Sequence, residues 1–293
     1  MHRANPSPMR RSTPILYAVT VLGVGAAAWF QLAADGPARS AGPPRPMTFA
    51  ARQLSEGLKA ARRQCSMKAL DAVIHNAGEC SDAAPDDDGV WRVLAEAHLE
   101  RAQQRIHLRG LNVGQPFFTQ LPADFEGDLD TGLAAVAQAQ LHGDDSSSIF
   151  TTKALLMSHR ITSVMTALRY NGAIDRALTA AERRDGDAVE LQIALGLRKL
   201  LSPELFGHDA AGALAHFQRA ATDGDDERAS IYASMVCNLQ GQRELALEWL
   251  ERAASINPAN VFAKVMLARL RDNEGDPFSR DISDAEAAAA TSR

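Results

Sequence analysis

Two stretches of this chain carry the same pattern, 33 residues apart. Ala213, Phe217 and Ala220, in AGALAHFQRAA, place small, large and small residues at spacings of four and three. Ala246, Leu250 and Ala253, in ALEWLERAA, repeat them. These spacings bring all three side chains onto one face of an α-helix. Small residues let two helices approach closely, and the single bulky one fills the gap between them. The punctuation agrees: residues 229–239 read as one amphipathic helix, Gly241 interrupts it, and Asn257-Pro258 stops a second helix begun near Glu244, since proline cannot continue a helix. Composition points the same way. Hydrophobic residues make up 46% of the chain but aromatics only 5%, a poor supply for strands and a good one for Ala- and Leu-rich helices.

A period near 34 with this pattern resembles the tetratricopeptide repeat. That family shows W-x2-L-G-x2-Y, then A-x3-F-x2-A, then P. Ala246, Leu250, Ala253 and Pro258 match the second half, and Trp91, Leu94, Ala95 and His98 match the first with Ala for Gly and His for Tyr. Further helix pairs are expected at 47–63 with 66–77 (Ala69 and Val73 facing inward) and at 151–168 with 171–184. Val261–Leu270 begins another repeat, and Asp284–Ala290 is its short partner. The expected fold is therefore all-α: a right-handed α-solenoid of about five helix pairs over residues 47–275, closed by a capping helix or tail at 276–293.

The resemblance implies that the first helix of each pair lines the concave face. This exposes Arg228, Ile231, Met235 and Asn238 in one repeat, and Arg92, Glu96 and Leu99 in the Trp91 repeat. They do not reproduce the Lys/Asn clamp for peptide C-termini known in part of the family. Residues 201–220, LSPELFGHDAAGALAHFQRA, are similar to the segment linking two helices in TatT-type repeat proteins of TRAP solute transporters. Pro203, Phe206 and Gly207 make a long turn there, and Asp209 caps the next helix.

The N-terminus has a different character. Residues 1–14 carry Arg3, Arg10 and Arg11 and no acid, and residues 15–34 run ILYAVTVLGVGAAAWFQLAA without a charge. Twenty apolar residues span a bilayer as a helix. The arginines place the N-terminal tail in the cytoplasm, and hence the repeats on the periplasmic or extracytoplasmic side of the inner membrane. Ala26-Ala27-Ala28 and Leu32-Ala33-Ala34 are small-residue sites suited to cleavage, so the segment reads as a signal anchor or a signal peptide. Residues 35–46, rich in Pro and Gly, form a linker. Of the net charge of −5, residues 1–34 carry +3 and the remainder −8. An acidic domain is a poor match for nucleic acid.

No motif for catalysis, phosphate binding or metal binding is present: H-E-x-x-H, paired C-x-x-C, G-x-x-x-x-G-K-[ST], G-x-G-x-x-G and G-x-S-x-G are all missing. The expectation is a non-enzyme without cofactor or metal; the enzyme alternative would need His98, His159 or His208 to meet carboxylates. Asp124, Glu126, Asp128 and Asp130 alternate like calcium ligands but lack the glycine and glutamate of that loop, so Asp128 or Asp130 reads as the cap of a helix starting near Thr131. Cys65 and Cys80 flank a helix of about 12 residues, about 18 Å long. A disulfide would need a shorter helix or a returning loop. Cys237 reads as a buried thiol.

Residues 108–127 interrupt the Trp91 repeat with Phe117, Phe118 and Phe125 in an irregular loop, which either covers the core or shapes a binding groove. His159, Arg160, Arg169 and Tyr170 flank the 151–168 helix, where an arginine fork suits a carboxylate. The candidate contacts are thus Arg92, Glu96, Phe117, Phe118, Phe125, His159, Arg160, Arg228 and Asn238. The expected function is a membrane-anchored interaction module or scaffold binding a protein or peptide outside the cytoplasm. The alternative is a TatT-like accessory protein handling a small solute for a transporter.

Overall fold

A computed structural model describes residues 46–108, 122–202, 207–224, 226–273 and 275–292, all of which belong to one compact unit. Twelve helices and no strand are found among them: α1 Phe49–Arg63, α2 Met67–Ala83, α3 Asp88–Leu108, α4 Ala123–Leu141, α5 Ser147–Ser158, α6 Val164–Glu182, α7 Val189–Leu201, α8 Ala210–Asp223, α9 Glu227–Leu239, α10 Arg243–Ile256, α11 Val261–Arg271 and α12 Asp284–Thr291. Each odd-numbered helix packs against the even one that follows it. The odd helices also touch each other, α1 on α3, α3 on α5, α5 on α7 and α7 on α9. Pairs stacked in sequence, with their first helices in one row, form a helical solenoid.

Local chemistry explains the boundaries. Side chains of Thr48, Ser66, Ser146, Ser163, Asp209, Asp226, Asn260 and Ser283 each accept a backbone N–H in the first turn of a helix, satisfying donors that have no intrahelical partner. Asp209 caps α8 as the sequence implied. Gly241, with φ +72°, turns the chain from α9 into α10, in a conformation that costs glycine little.

The small–large–small pattern is the core. Ala213, Phe217, Ala220, Ala246, Leu250 and Ala253 are all fully or almost fully buried. Helices α7 and α8 approach closely at Gly196. A Cβ added at Gly196 would stand 2.4 Å from Phe217 Cε1, so the ring occupies the space that any side chain on Gly196 would need.

Several expected boundaries move. The helix expected over 151–168 is broken. α5 begins earlier, at Ser147, and ends at Ser158, while α6 begins at Val164. Ser163 and Thr166 form a capping box that starts α6 afresh. The helix expected near Thr131 begins at Ala123, so Asp128 and Asp130 are interior residues of α4 and Pro122 is its N-cap. α2 runs on to Ala83. There Leu70, Val73 and Ala77 are buried, whereas Ala69 is half-buried.

The three cysteines are free thiols. Cys65 turns the chain between α1 and α2 at φ +46°, and its Sγ lies 3.5 Å from Asn257 Nδ2 in the α10–α11 turn. The N-terminal pair and the C-terminal repeats therefore meet. Cys237 is buried, as expected. Among the described residues no helix is long and apolar enough to cross a membrane; the apolar run 15–34 and the linker to residue 45 lie outside them.

Candidate functional site

The row of odd helices encloses a cavity of about 120 Å³. α1 contributes Ser55, Leu58, Lys59 and Arg62. α3 contributes Glu96, Leu99, Glu100 and Gln103. α5 contributes Ser148, Thr151, Thr152 and Leu155. Each set falls at i, i+3, i+4 and i+7, one stripe down one face of a helix. Glu190 and Ile193 from α7 and Arg228 and Tyr232 from α9 complete the wall.

The charged groups interlock across the helices. Arg62 Nε donates to Glu100 Oε2 at 2.7 Å, and Arg62 Nη1 lies 3.7 Å from Glu190. Arg228 is forked onto Asp226, with Nε 2.9 and 3.1 Å from the two carboxylate oxygens, and its Nη1 is 3.6 Å from Glu100. Burial alone would raise the Glu100 carboxyl, but Arg62 and Arg228 beside it hold it below the ordinary range. Arg228 outweighs burial in the same way at Asp226, lowered to about 2. Glu96 behaves differently. Burial raises it above the usual glutamate value, against the Ser148 hydroxyl that donates to it and the more distant Arg92 and Arg62, while Glu190 adds to the rise.

Tyr232 is the aromatic residue of the lining. Its hydroxyl lies 3.1 Å from His107 Nε2, and burial pushes the phenol above its ordinary value. Burial lowers His107 to about 4, so it is neutral at physiological pH and stacks on Phe262 at 4.8 Å.

The candidate contacts fare unevenly. Glu96 and Arg228 line the cavity, as does Leu99. Arg92 does not: its Nη1 reaches Asp144 at 3.3 Å and Ser146 at 3.5 Å, tying α3 to the start of α5. Asn238 Nδ2 donates to Asp276 at 3.2 Å, away from the cavity. Ile231 and Met235 are buried rather than exposed, because α9 is covered on nearly all sides. Phe125 belongs to α4 and is buried, with the His159 ring edge-on at 6.0 Å. His159 is the C-cap of α5, and Arg160 follows it in the turn and pairs with Asp130. These three are packing and turn residues. Phe117 and Phe118 lie outside the described residues.

His98 donates from Nδ1 to Asp128 Oδ1 at 2.9 Å, and Arg101 Nε reaches the same oxygen at 2.9 Å, so the acid is a buried junction of α3 and α4. His208 Nδ1 lies 2.9 Å from the Leu200 carbonyl. None of His98, His159 and His208 lines the cavity. Among the described residues no cluster of three His, Cys, Asp or Glu is placed to hold a metal ion.

Ser55, Lys59, Arg62, Gln103, Thr151, Thr152, Glu190 and Tyr232 line the cavity without having been anticipated from the sequence. For those on α1, α3 and α5 the signal was present in the chain: stripes at i, i+3, i+4 and i+7 with three polar residues to one leucine, where an ordinary amphipathic helix keeps that face apolar.

No protein-family model and no curated protein matches the chain. Solved structures do. A thermophilic tetratricopeptide-repeat protein of Thermus thermophilus is 14% identical, with a TM-score of 0.54 over 74% of this chain and 98% of that one. Two others overlap more loosely. YrrB, titled a tetratricopeptide-repeat protein with an unusual peptide-binding site, is 13% identical (TM-score 0.35, 78% and 99% covered). MamA is 12% identical (TM-score 0.33, 72% and 96% covered). The likeness to the Thermus protein shows a tetratricopeptide-like helical-repeat fold.

Proposed function

We propose that the chain is a non-enzymatic interaction module whose odd-helix face binds a protein or peptide. The observation that carries this is the convergence of five first helices on one cavity, each offering polar or charged side chains where packing alone would favour apolar ones. A solenoid presents such a face as a continuous surface for a partner. We further propose that residues 15–34 hold the module at the inner membrane, with the repeats on the periplasmic or extracytoplasmic side. Support for that lies in the uncharged 20-residue run and the three arginines before it.

The small size of the cavity favours a second reading, an accessory protein that handles a small solute for a transporter, as the TatT-like segment suggests. The test is site-specific photocrosslinking in membranes of the full chain, with the probe at Ser55 or Leu99 on the inner face and at Met165 on the outer face of α6. Crosslinks to a defined protein from the inner positions alone support partner binding. Equal crosslinking from Met165, or none from the inner face, overturns it. A cysteine introduced in the linker and labelled by an impermeant maleimide from the periplasmic side tests the orientation.

A further inference from the structure

The wall of the cavity is unbalanced. Its three cations all have carboxylates: Lys59 Nζ lies 2.9 Å from Glu56, Arg62 is paired with Glu100, and Arg228 with Asp226. Its acceptors are not matched in return. Among the described residues Glu96 has no cation within ion-pair distance and takes a hydrogen bond from the Ser148 hydroxyl. Among the described residues Thr151 Oγ1, one turn along α5 from Ser148, is buried without a partner, and so is Gln103 Oε1, two turns along α3 from Glu96. Both residues belong to the wall, and they are 2% and 5% exposed. Buried acceptors left without donors are uncommon in folded proteins and mark places where something else supplies the hydrogen. Between these groups the wall is apolar, formed by Leu58, Leu99, Leu155 and Ile193.

We propose that this cavity takes a primary alkylammonium group, with Glu96 as its counter-charge, the unpaired Thr151 hydroxyl as a neighbouring acceptor, and the leucines against its methylenes. The volume fits about five heavy atoms, since a cavity of about 150 Å³ accepts benzene. The tip of a lysine side chain and a small free amine share this chemistry. The proposal rests on the odd-helix face being the binding face.

Proton balance follows from the surroundings of Glu96. Ser148 on α5 and the cations Arg92 on α3 and Arg62 on α1 oppose the rise in its pKa, and Glu190 on α7 reinforces it. Where Glu96 is protonated, the arriving ammonium displaces that proton to solvent. Over that pH range affinity rises with pH, by at most about tenfold per unit for one released proton, and above it affinity is level.

The experiment is calorimetry and thermal shift on the full chain, in non-ionic detergent and amine-free phosphate buffer, with n-butylammonium, butyrate and n-butanol as probes. The expected result is butylammonium binding at least tenfold tighter than either of the others and weakened at least tenfold by Glu96→Gln. If Glu96→Gln does not fold, Thr151→Val takes its place, and a severalfold weakening is expected. Butyrate binding as well as butylammonium, or an unchanged affinity in a folded Glu96→Gln, overturns the proposal. A terminally blocked peptide Gly-Gly-Lys-Gly-Gly identifies the source: tighter than butylammonium means a partner's lysine, weaker means a free amine. Failure of all three probes while inner-face crosslinking persists removes the ligand class alone. Loss of inner-face crosslinking removes the binding face itself.

Discussion

Substituting Gly196 by alanine tests whether close helix approach, rather than helix propensity, governs this array. In an open helical position the change stabilises by about 1 kcal/mol, because glycine is the poorer helix former. At Gly196 the new Cβ would stand 2.4 Å from Phe217 Cε1 and 2.8 Å from Cδ1 and Cζ, well inside the usual carbon contact of about 3.5–4.0 Å. The ring has nowhere to go: Phe217 is fully buried, and Tyr232 lies against it at 5.4 Å between centroids. Overpacking of this kind costs about 1–3 kcal/mol. With a clash at the upper end, less the propensity gain, the net loss is about 2 kcal/mol. At about 2–4 °C per kcal/mol for a domain of this size, the melting temperature falls by about 4–8 °C. Gly78→Ala on α2, where nothing lies within 4 Å of the new Cβ, is the control and should raise it by about 2–4 °C. Adding Phe217→Leu to Gly196→Ala should cost less than the two single changes summed, because the smaller side chain relieves the clash. The assay is thermal and urea unfolding of the full chain followed by far-UV circular dichroism. If Gly196→Ala stabilises as much as Gly78→Ala, the close-approach argument is refuted.

Asp128, wholly buried between His98, Arg101 and Arg105, should cost about 2–3 kcal/mol when changed to Ala, because the His98 and Arg101 donors lose their buried acceptor even though Arg101 and Arg105 keep Asp71 and Asp124; urea denaturation measures it. Burial would raise Asp128, but His98 and Arg101 hold it low, and Asp226 is held near 2. A depressed carboxylate contributes stability above its unfolded value, and loses it as pH falls from about 4 to about 2; Asp226→Asn should flatten stability over that window. Burial lowers His107 to about 4, so the unfolded chain binds the extra proton between about pH 4 and 6.5 and stability rises with pH there, by at most about 3 kcal/mol. His159, lowered by burial to about 4 as well, contributes a second slope over the same window, so His107→Gln should reduce the slope by about half, and an unchanged slope would contradict the assignment. Burial, with Glu227 and Glu100 nearby, pushes the Cys65 thiol to about 12, so a thiol-specific reagent at about pH 8 should modify it far more slowly than a thiol in the urea-unfolded chain.

Much of the array can be read from particular residues. Phe217 and Leu250 with their flanking alanines locate two second helices and their buried faces, and Gly241 and Pro258 mark where helices stop. These signals are local, so they survive in one dimension. The breaks at 159–163 and at Pro122 were harder to see. Residues 151–168 keep a helix-compatible pattern throughout, and only the Ser163–Thr166 capping box restarts the chain. Alternating acids at 124–130 look like a loop, although Asp128 is a buried partner of α3 within a helix. At the cavity, Glu96, Leu99 and Arg228 were legible through the repeat register. The register also placed Ile231, Met235 and Asn238 on the face, and it did not indicate that neighbouring helices would cover the first two.

By itself the sequence determined that the chain is helical, that α8 and α10 carry one small–large–small pattern 33 residues apart, and that these faces are buried, because periodicity and helix stops are properties of neighbouring residues; the starts of the earlier first helices, at residues 49, 88, 147 and 189, do not keep that period. Only the tertiary structure decided which polar side chains meet. Arg62 and Glu100 are 38 residues apart, His107 and Tyr232 are 125 apart, and Asn257 reaches Cys65 across 192. Whether a charge is matched depends on how each pair rotates against the next, which no local pattern encodes. Arg92, placed on the first-helix face by its register, pairs with Asp144, whereas Glu96, one turn along the same helix, faces the cavity with no cation in ion-pair distance among the described residues.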